Sequence, residues 1–240
     1  MVEKAPQDRE KLWHEVIESI EELTFTGCYE KVNNKLSFGR VEKLREKTLR
    51  LLGDPRILLD AGSGPGTSTL TALRTLPKSR IIMMDPSTKM LAYALKRIPS
   101  RERYRVEAVG GVFENIPLKD ESVDAVTAMF SFRDAASFED AVREFWRVLK
   151  PGGRLAILDI YRPGKLGIAL VELYFRIMVP IAVALSGCSR ELFKYRSFIE
   201  TIHKMLNKKE LIYLFNKYFN IVKIIRLAPG LAIIYAEKTV

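Results

Sequence analysis

The sequence predicts an α/β fold: a parallel sheet covered by helices on both faces, with a helical extension before it and a helical insert near its end. Three observations carry this reading. Five short apolar runs, ILLD, IIMMD, YRVEAV, VDAVTAMF and GRLAILDI, lie near positions 57, 81, 104, 123 and 153. Continuous apolar runs, rather than alternating ones, mark strands buried on both faces, and amphipathic helices or loops separate these. A glycine-rich turn, Asp60-Ala61-Gly62-Ser63-Gly64-Pro65-Gly66, joins the first run to the helix after it. Open parallel sheets bind ligands at such strand-to-helix turns. The size and composition fit one large domain: 240 residues, 48% hydrophobic and 28% charged. They exclude a disordered chain, a collagen-like chain and a multi-span membrane protein.

The elements follow in order. Leu12, Trp13, Val16, Ile17, Ile20 and Leu23 recur at helical spacing over residues 11–24. Gly27, Asn33, Asn34 and Gly39 loosen the next stretch, and a charged helix runs from about 41 to 52. Residues 1–52 are read as a helical lid or extension and residues 53–240 as the main domain. A helix over 87–97 follows the second strand. The helix over 137–149 gathers Phe138, Ala141, Val142, Phe145, Trp146 and Leu149 on one stripe, and Lys150-Pro151-Gly152-Gly153 ends it. The region 164–220 breaks the alternation and reads as two or three inserted helices. Residues 221–227 and 231–237 are two further strands. The tight joint at Pro229-Gly230 makes them an antiparallel pair.

The charge is unevenly placed. The net charge is +10, and residues 161–240 carry 13 basic against 5 acidic residues. Such a surplus attracts an anionic surface, nucleic acid or lipid headgroups; the alternative is a solvated basic face. Residues 166–188, LGIALVELYFRIMVPIAVALSGC, are apolar apart from Glu172 and Arg176. Their length approaches a bilayer span, but the two charges and Pro180 argue against spanning. They read either as a substrate-site cap that touches the membrane or as a buried pair of core helices. The polar start MVEKAPQDRE shows no secretory signal, which makes the cytoplasm the expected compartment. Two cysteines exclude a disulfide scaffold and a multi-cysteine zinc site. Cys28 and Cys188 are expected as separate small thiols, His14 and His203 as isolated residues, and no metal site is expected.

The ligand-bearing residues narrow the chemistry. The glycines let backbone approach a ligand closely. A dinucleotide site would need glycine at 67, where Thr67 stands, and Asp60 before the turn suits a cationic or hydroxyl-rich ligand better than a pyrophosphate. Asp85 ends the second strand. It can accept from ribose hydroxyls or cap the following helix.

Asp60 to Gly66 resembles motif I, D-x-G-x-G-x-G, of the class I S-adenosylmethionine (SAM) methyltransferases. Glu114-Asn115-Ile116-Pro117-Leu118, with Asp120, Ser122, Val123 and Asp124, resembles their A-E-x-L-P-F-x-D-x-S-F-D stretch. Val112 and Phe113 stand where an acidic or amide residue and alanine are usual beside the adenine. Phe130-Ser131-Phe132-Arg133-Asp134 resembles F-G-x-R-N, and Arg147 to Gly153 resembles R-V-L-K-P-G-G. Tyr29 to Gly39 resembles Y-D-x-x-N-x-x-x-S-x-G. Tyr195 to Ile202 and Pro229-Gly230-Leu231-Ala232 resemble Y-x-Y-L-x-x-S-I and a G-x-x-A strand. Together these resemble the ubiquinone/menaquinone-biosynthesis C-methyltransferases, over roughly Tyr29 to Lys238.

The resemblance implies a seven-stranded Rossmann-like sheet and SAM as cofactor. It implies cofactor contacts from Asp60, Gly62, Ser63, Gly64, Pro65, Gly66, Asp85, Pro86, Met90, Val112, Phe113, Met129 and Phe130. It also implies carbon methylation of a prenylated hydroquinone or a similar hydrophobic aromatic. Arg133 would steady the phenolate or form a structural ion pair. Tyr29 would add a hydrogen bond from the lid, and Asp134, in place of asparagine, would act as base or pair with Arg133. Two rivals stand beside this: an RNA methyltransferase, prompted by the basic last third, and a SAM-binding scaffold without activity. Expected partners are the aromatic substrate and a peripheral membrane contact through 166–188 and the basic third. A homodimer is left open, and nucleic acid is not expected.

Overall fold

The structure, a computed structural model, describes residues 21–188 and 203–239. Most of the helix expected over 11–24, and the Tyr195–Ile202 stretch, lie outside the described residues. Residues 21–25 are helical.

Seven strands form one sheet: β1 (Ile57–Ala61), β2 (Arg80–Asp85), β3 (Val106–Gly110), β4 (Val123–Met129), β5 (Leu149–Ile160), β6 (Ile221–Ala228) and β7 (Leu231–Glu237). Their order across the sheet is β3-β2-β1-β4-β5-β7-β6. The first five are parallel, while β7 runs antiparallel to both β5 and β6. The buried centres of β1 and β4 match their continuous apolar runs. β5 begins earlier than expected: the Lys150–Gly153 turn already lies within it, and Leu149 pairs with Val123 across a register shift.

Helices α1 (Cys28–Leu36) and α2 (Val41–Arg50) precede the sheet. α3 (Thr67–Thr75), α4 (Thr88–Arg97) and α5 (Phe138–Val148) alternate with the strands, and α6 (Lys165–Leu185) and α7 (Lys208–Asn216) lie in the insert. Three helix starts are capped as their sequences allow. Ser87 Oγ accepts from Met90 N–H and Ser137 Oγ from Asp140 N–H, and Asn207 with Glu210 forms a capping box. Each cap is worth about 1 kcal/mol.

One core cluster gathers Phe132, Phe145 and Phe215 with β4 and β5; a second gathers Leu49, Leu52, Leu58, Ala72, Ile81 and Leu158. A third, smaller cluster joins α1 to α6. It holds Leu23, Cys28, Val32, Val179, Ala182, Val183 and Cys188.

Two expectations are corrected here. Cys28 and Cys188 are not separate thiols: they form a disulfide across 160 residues of sequence, with Cα atoms 5.9 Å apart. Only the docking of α1 on α6 brings them together, and nothing in their local sequence signals it. The alternative of a buried helix pair for 166–188 also fails. Lys165–Leu185 is one continuous helix with a mean hydropathy of 2.0, long and apolar enough to cross a membrane, and its most apolar window is only 22% buried. Pro180 lies inside it without ending it.

Candidate cofactor and substrate site

The strand order reverses direction between β1 and β4, and the loops beyond their carboxyl ends part there. A ligand crevice is expected at such a switch point. An open cleft lies there. Its floor is the glycine turn after β1. Gly62 has φ +67°, and a Cβ on it would lie 2.6 Å from Ser131 Oγ and 2.8 Å from the Phe113 ring, so only glycine fits. One wall is the end of β2. Asp85 Oδ2 accepts from Gly64 N–H at 2.8 Å, and Oδ1 accepts from Ser87 N–H at 2.9 Å. The carboxylate thus ties the glycine turn to the start of α4. Burial raises its pKa, these two bonds lower it, and Glu21 nearby adds to the rise. Ser87, not Asp85, caps α4 through Met90 N–H.

The opposite wall follows β4. Phe130 sits at φ +59°, a left-handed conformation uncommon for a non-glycine residue. Ser131 Oγ donates to Ala61 O at 3.2 Å, and Asp134 borders the same cleft. Burial pushes the Asp134 carboxyl up to about 6; Arg133 opposes the rise, and Asp159 and Asp85 add to it. Arg133 is not among the residues lining the cleft. Its side chain is 5% exposed. Nη1 reaches Asp159 Oδ1 at 3.1 Å, and Nε lies 3.9 Å from Asp134 Oδ1. Burial works against its charge, but Asp159, Asp134 and Tyr29 hold it more firmly protonated than an ordinary arginine.

The roof is the lid. Tyr29 and Glu21 line the cleft from residues 21–36. Glu30 accepts from Thr67 Oγ at 2.7 Å and pairs with Arg97 at 2.7 Å, and Arg97 also donates to Pro65 O at 2.9 Å. Glu21 accepts from Ser87 and pairs with Lys89. These contacts clasp the lid to both sides of the glycine turn.

Of the residues expected at the cofactor, eleven line the cleft: Gly62, Ser63, Gly64, Pro65, Asp85, Pro86, Met90, Val112, Phe113, Met129 and Phe130. Asp60 and Gly66 do not. Asp60 is fully buried, accepts from Ser68 and Thr69 hydroxyls at 2.6 Å, and keeps Oδ1 unpartnered. Burial pushes its pKa up to about 6 against those hydroxyls. Gly66, at φ +80°, lets α3 approach Ala94. Tyr29 and Asp134 line the cleft as well. Glu114 and Ser131 also line the cleft; they lie inside the motifs that carry the resemblance but are not among the residues expected at the site. Glu21, Arg45, Thr67, Ser68, Met84, Ser87 and Gly111 complete the lining, and nothing in their local sequence singles them out as site residues.

This donor set fits SAM. Asp85 faces the cleft at the position from which ribose hydroxyls are bound in related sheets. The glycines allow backbone approach, and Gly62, Ser63 and Gly64 all line the cleft.

The sequence pattern of the ubiE/COQ5 methyltransferase family matches residues 6–238. A protein of Chlamydia caviae named demethylmenaquinone methyltransferase is 30% identical over 210 residues, covering 86% of this chain and 89% of its own. One of the same name from Listeria welshimeri is 30% identical over 179 residues, covering 73% and 74%. Among solved structures, a putative SAM-dependent methyltransferase of Methanococcus maripaludis aligns over 100% of this chain and 98% of its own, with a TM-score of 0.63 at 20% identity. A SAM-dependent methyltransferase of Thermotoga maritima, described as a possible histamine N-methyltransferase, covers 95% of this chain and 100% of its own. Its TM-score is 0.62 at 22% identity.

Proposed function

Because the chain belongs to the ubiE/COQ5 methyltransferase family and is a SAM-dependent methyltransferase, we propose that it methylates a ring carbon of a prenylated hydroquinone in quinone biosynthesis. The observation that carries the reading is the meeting, in one cleft, of the cofactor-type loop with Asp134 and Tyr29. When bound, SAM supplies an electrophilic methyl group on a sulfonium. The protein must make the ring carbon nucleophilic and keep water out. Asp134 takes the phenolic proton; a carboxyl tuned to about 6 is well matched to that task near neutral pH. Tyr29 supplies a hydrogen bond to the ring oxygens. Arg133 is held protonated and therefore acts on the developing phenolate charge through Asp134 rather than as a base. Once the carbon–carbon bond forms, the ring carbon gives its proton to solvent and the aromatic phenolate is restored; that phenolate takes back the proton held on Asp134, so one proton leaves, net, per methyl transferred. Met129, Phe130 and Phe113 give the cleft an apolar surface for the ring.

The segment up to Gly39 is the lid in this reading. Helix α2 belongs to the sheet domain, since Leu49 is fully buried in its core. The test is methyl transfer from isotopically labelled SAM to a reduced, prenylated naphthoquinone lacking the ring methyl, read by mass spectrometry of the lipid extract. Labelled quinone is the expected product. Label in RNA but not in quinone would overturn the reading.

The cap points to where the reaction happens. Leu166, Leu170, Leu173, Ile177, Ile181 and Leu185 repeat every three or four residues along α6, and all are exposed. Lys165 and Arg176 on the same helix, and Lys31 and Lys35 on α1, are exposed as well. We place this face on an anionic lipid surface at the cytoplasmic side, without a span. Each basic residue there adds about 1 kcal/mol, screened by salt. Each leucine or isoleucine fully taken from water adds roughly 1.5–3 kcal/mol. Phe175 is half-buried against the lid cluster and is not part of this exposed stripe. The expected result is co-sedimentation with anionic vesicles that weakens at high salt and falls roughly 10-fold or more in the double variant Leu170→Gln, Ile177→Gln. A stable dimer in solution with no vesicle binding at low salt would assign the stripe to a second copy instead.

A further inference from the structure

The lid is held in two unequal ways. Toward the glycine turn its contacts are polar. Glu30 accepts from Thr67 and pairs with Arg97, and Glu21 accepts from Ser87 and pairs with Lys89; the contacts with Thr67 and Lys89 are solvent-exposed. Exposed pairs of this kind hold little each and are screened by salt. Toward α6 the contacts are buried and covalent. Leu23, Cys28 and Val32 pack with Val179, Ala182 and Val183, the Tyr174 hydroxyl donates to Leu36 O, and the Cys28–Cys188 bridge joins the two sides. Cys28 is the first residue of α1. Tyr29, which lines the cleft, and Glu30, which grips Thr67, follow it directly. Helix α1 is therefore tied covalently at both ends. The chain leads from its last turn through Gly39, at φ +72°, into α2, and the bridge fastens its first residue just past the end of α6. Helix α6 is itself anchored, since Val171 in its first half is buried beside Gly230 at the β6–β7 joint.

We propose that the Cys28–Cys188 bridge is a redox-sensitive latch that positions Tyr29 and sets how tightly the cleft retains its cofactor. The proposal rests on the cofactor being SAM. A dithiol reductant opens the latch by exchange. One of its thiolates attacks a bridge sulfur to form a mixed disulfide, and its second thiol resolves that bond. Cys28 and Cys188 are released as two thiols and the reductant as its own disulfide, so two electrons and two protons pass to the protein. The first turn of α1 then keeps only non-covalent contacts. A ligand must order it on binding, which lowers affinity. The coupling is reciprocal: a ligand that favours the closed lid shifts the bridge toward its oxidised form by the same factor. Cys28 and Cys188 are 7% and 3% exposed, so a reductant reaches them only when α1 lifts locally from α6. In a compartment kept reducing, the state of the bridge follows the surrounding thiol pool.

The experiment measures this coupling from both sides. Calorimetric titration with S-adenosylhomocysteine, the product left when SAM gives up its methyl, compares the bridged protein with the same protein reduced by excess dithiothreitol. Reduction should weaken binding by roughly 5- to 100-fold, within the usual range for coupled sites. Cys188→Ser opens the bridge away from the cleft, and it should bind as the reduced protein does and ignore dithiothreitol. From the other side, alkylation and mass spectrometry follow thiol release from the bridged protein, and saturating S-adenosylhomocysteine should slow that release several-fold. The double variant Glu21→Ala, Glu30→Ala removes the lid's polar grip on the glycine turn and α4, and both effects should shrink there to within about 2-fold. The ligand still stabilises that variant's sheet domain, so protection that persists in it undiminished would mean that the bridge opens by global unfolding, and would overturn the proposal. Equal affinity in the bridged and reduced proteins would overturn it too, leaving the bridge a brace between α1 and α6. The protection measurement decides the matter even if the reduced protein and Cys188→Ser fail to fold. Failure of the bridged protein to bind S-adenosylhomocysteine would instead overturn the cofactor assignment beneath it.

Discussion

Asp134→Asn should lower the methyl-transfer rate by about 10²- to 10⁴-fold while leaving S-adenosylhomocysteine affinity within a few-fold. The substitution is nearly isosteric and preserves a hydrogen-bonding group at the cleft wall, so the loss isolates proton removal. The pH profile sharpens the test. Burial holds the Asp134 carboxyl near 6, so the base is protonated below that value and ionised above it. In the unaltered protein kcat/KM should therefore rise with pH through about 6. The asparagine variant should lose that limb. Asp60 titrates in the same range, and ligand affinity measured across it separates the binding contribution from the catalytic one. Stability moves the other way. A carboxyl with its folded pKa raised above the unfolded value favours folding below the unfolded pKa, and that contribution is lost as pH rises through about 6. Asp134→Asn should thus melt at a higher temperature than the unaltered protein at pH 7. An activity that survives the substitution unchanged would remove Asp134 from the reaction.

Gly62→Ala should abolish cofactor binding, with at least a 100-fold loss of S-adenosylhomocysteine affinity. The position has φ +67°, and the new methyl would lie within 3 Å of Ser131 and the Phe113 ring. Ser131 is tied to Ala61 O, so it has little room to retreat. A left-handed non-glycine residue costs about 1–2 kcal/mol before any clash is counted. Displaced Ser131 and Phe113 would move into the cleft they line. Gly64 is the control. Its φ is +50°, and nothing lies within 4 Å of a Cβ built there. Gly64→Ala should carry the backbone cost alone unless a ligand packs against that face. Circular dichroism melts and calorimetric titration of both variants check this. Tight binding retained by Gly62→Ala would show that the glycine turn serves the fold and not the cofactor.

Much of this was legible in one dimension because its causes are local. Strands buried on both faces must be apolar throughout, so β1, β2, β4 and β5 announced themselves, and with them the parallel sheet. A turn that needs left-handed backbone needs glycine, so Gly62, Gly64 and Gly66 marked the ligand end of β1. The Pro229-Gly230 joint signalled the antiparallel β6–β7 pair for the same kind of reason. What only the tertiary structure decided depends on residues far apart in sequence. The Cys28–Cys188 bridge exists because α1 docks on α6. Whether 166–188 was core or surface depended on which helix faces find partners, and among the described residues the apolar stripe of α6 is exposed. Arg133 pairs with Asp159 at the end of β5, 26 residues away, so Asp134 rather than Arg133 faces the cleft. Arg45 lies in a charged helix like any other until that helix packs against α3 and β5. A buried cation is defined by its surroundings, and a chain read residue by residue does not contain them.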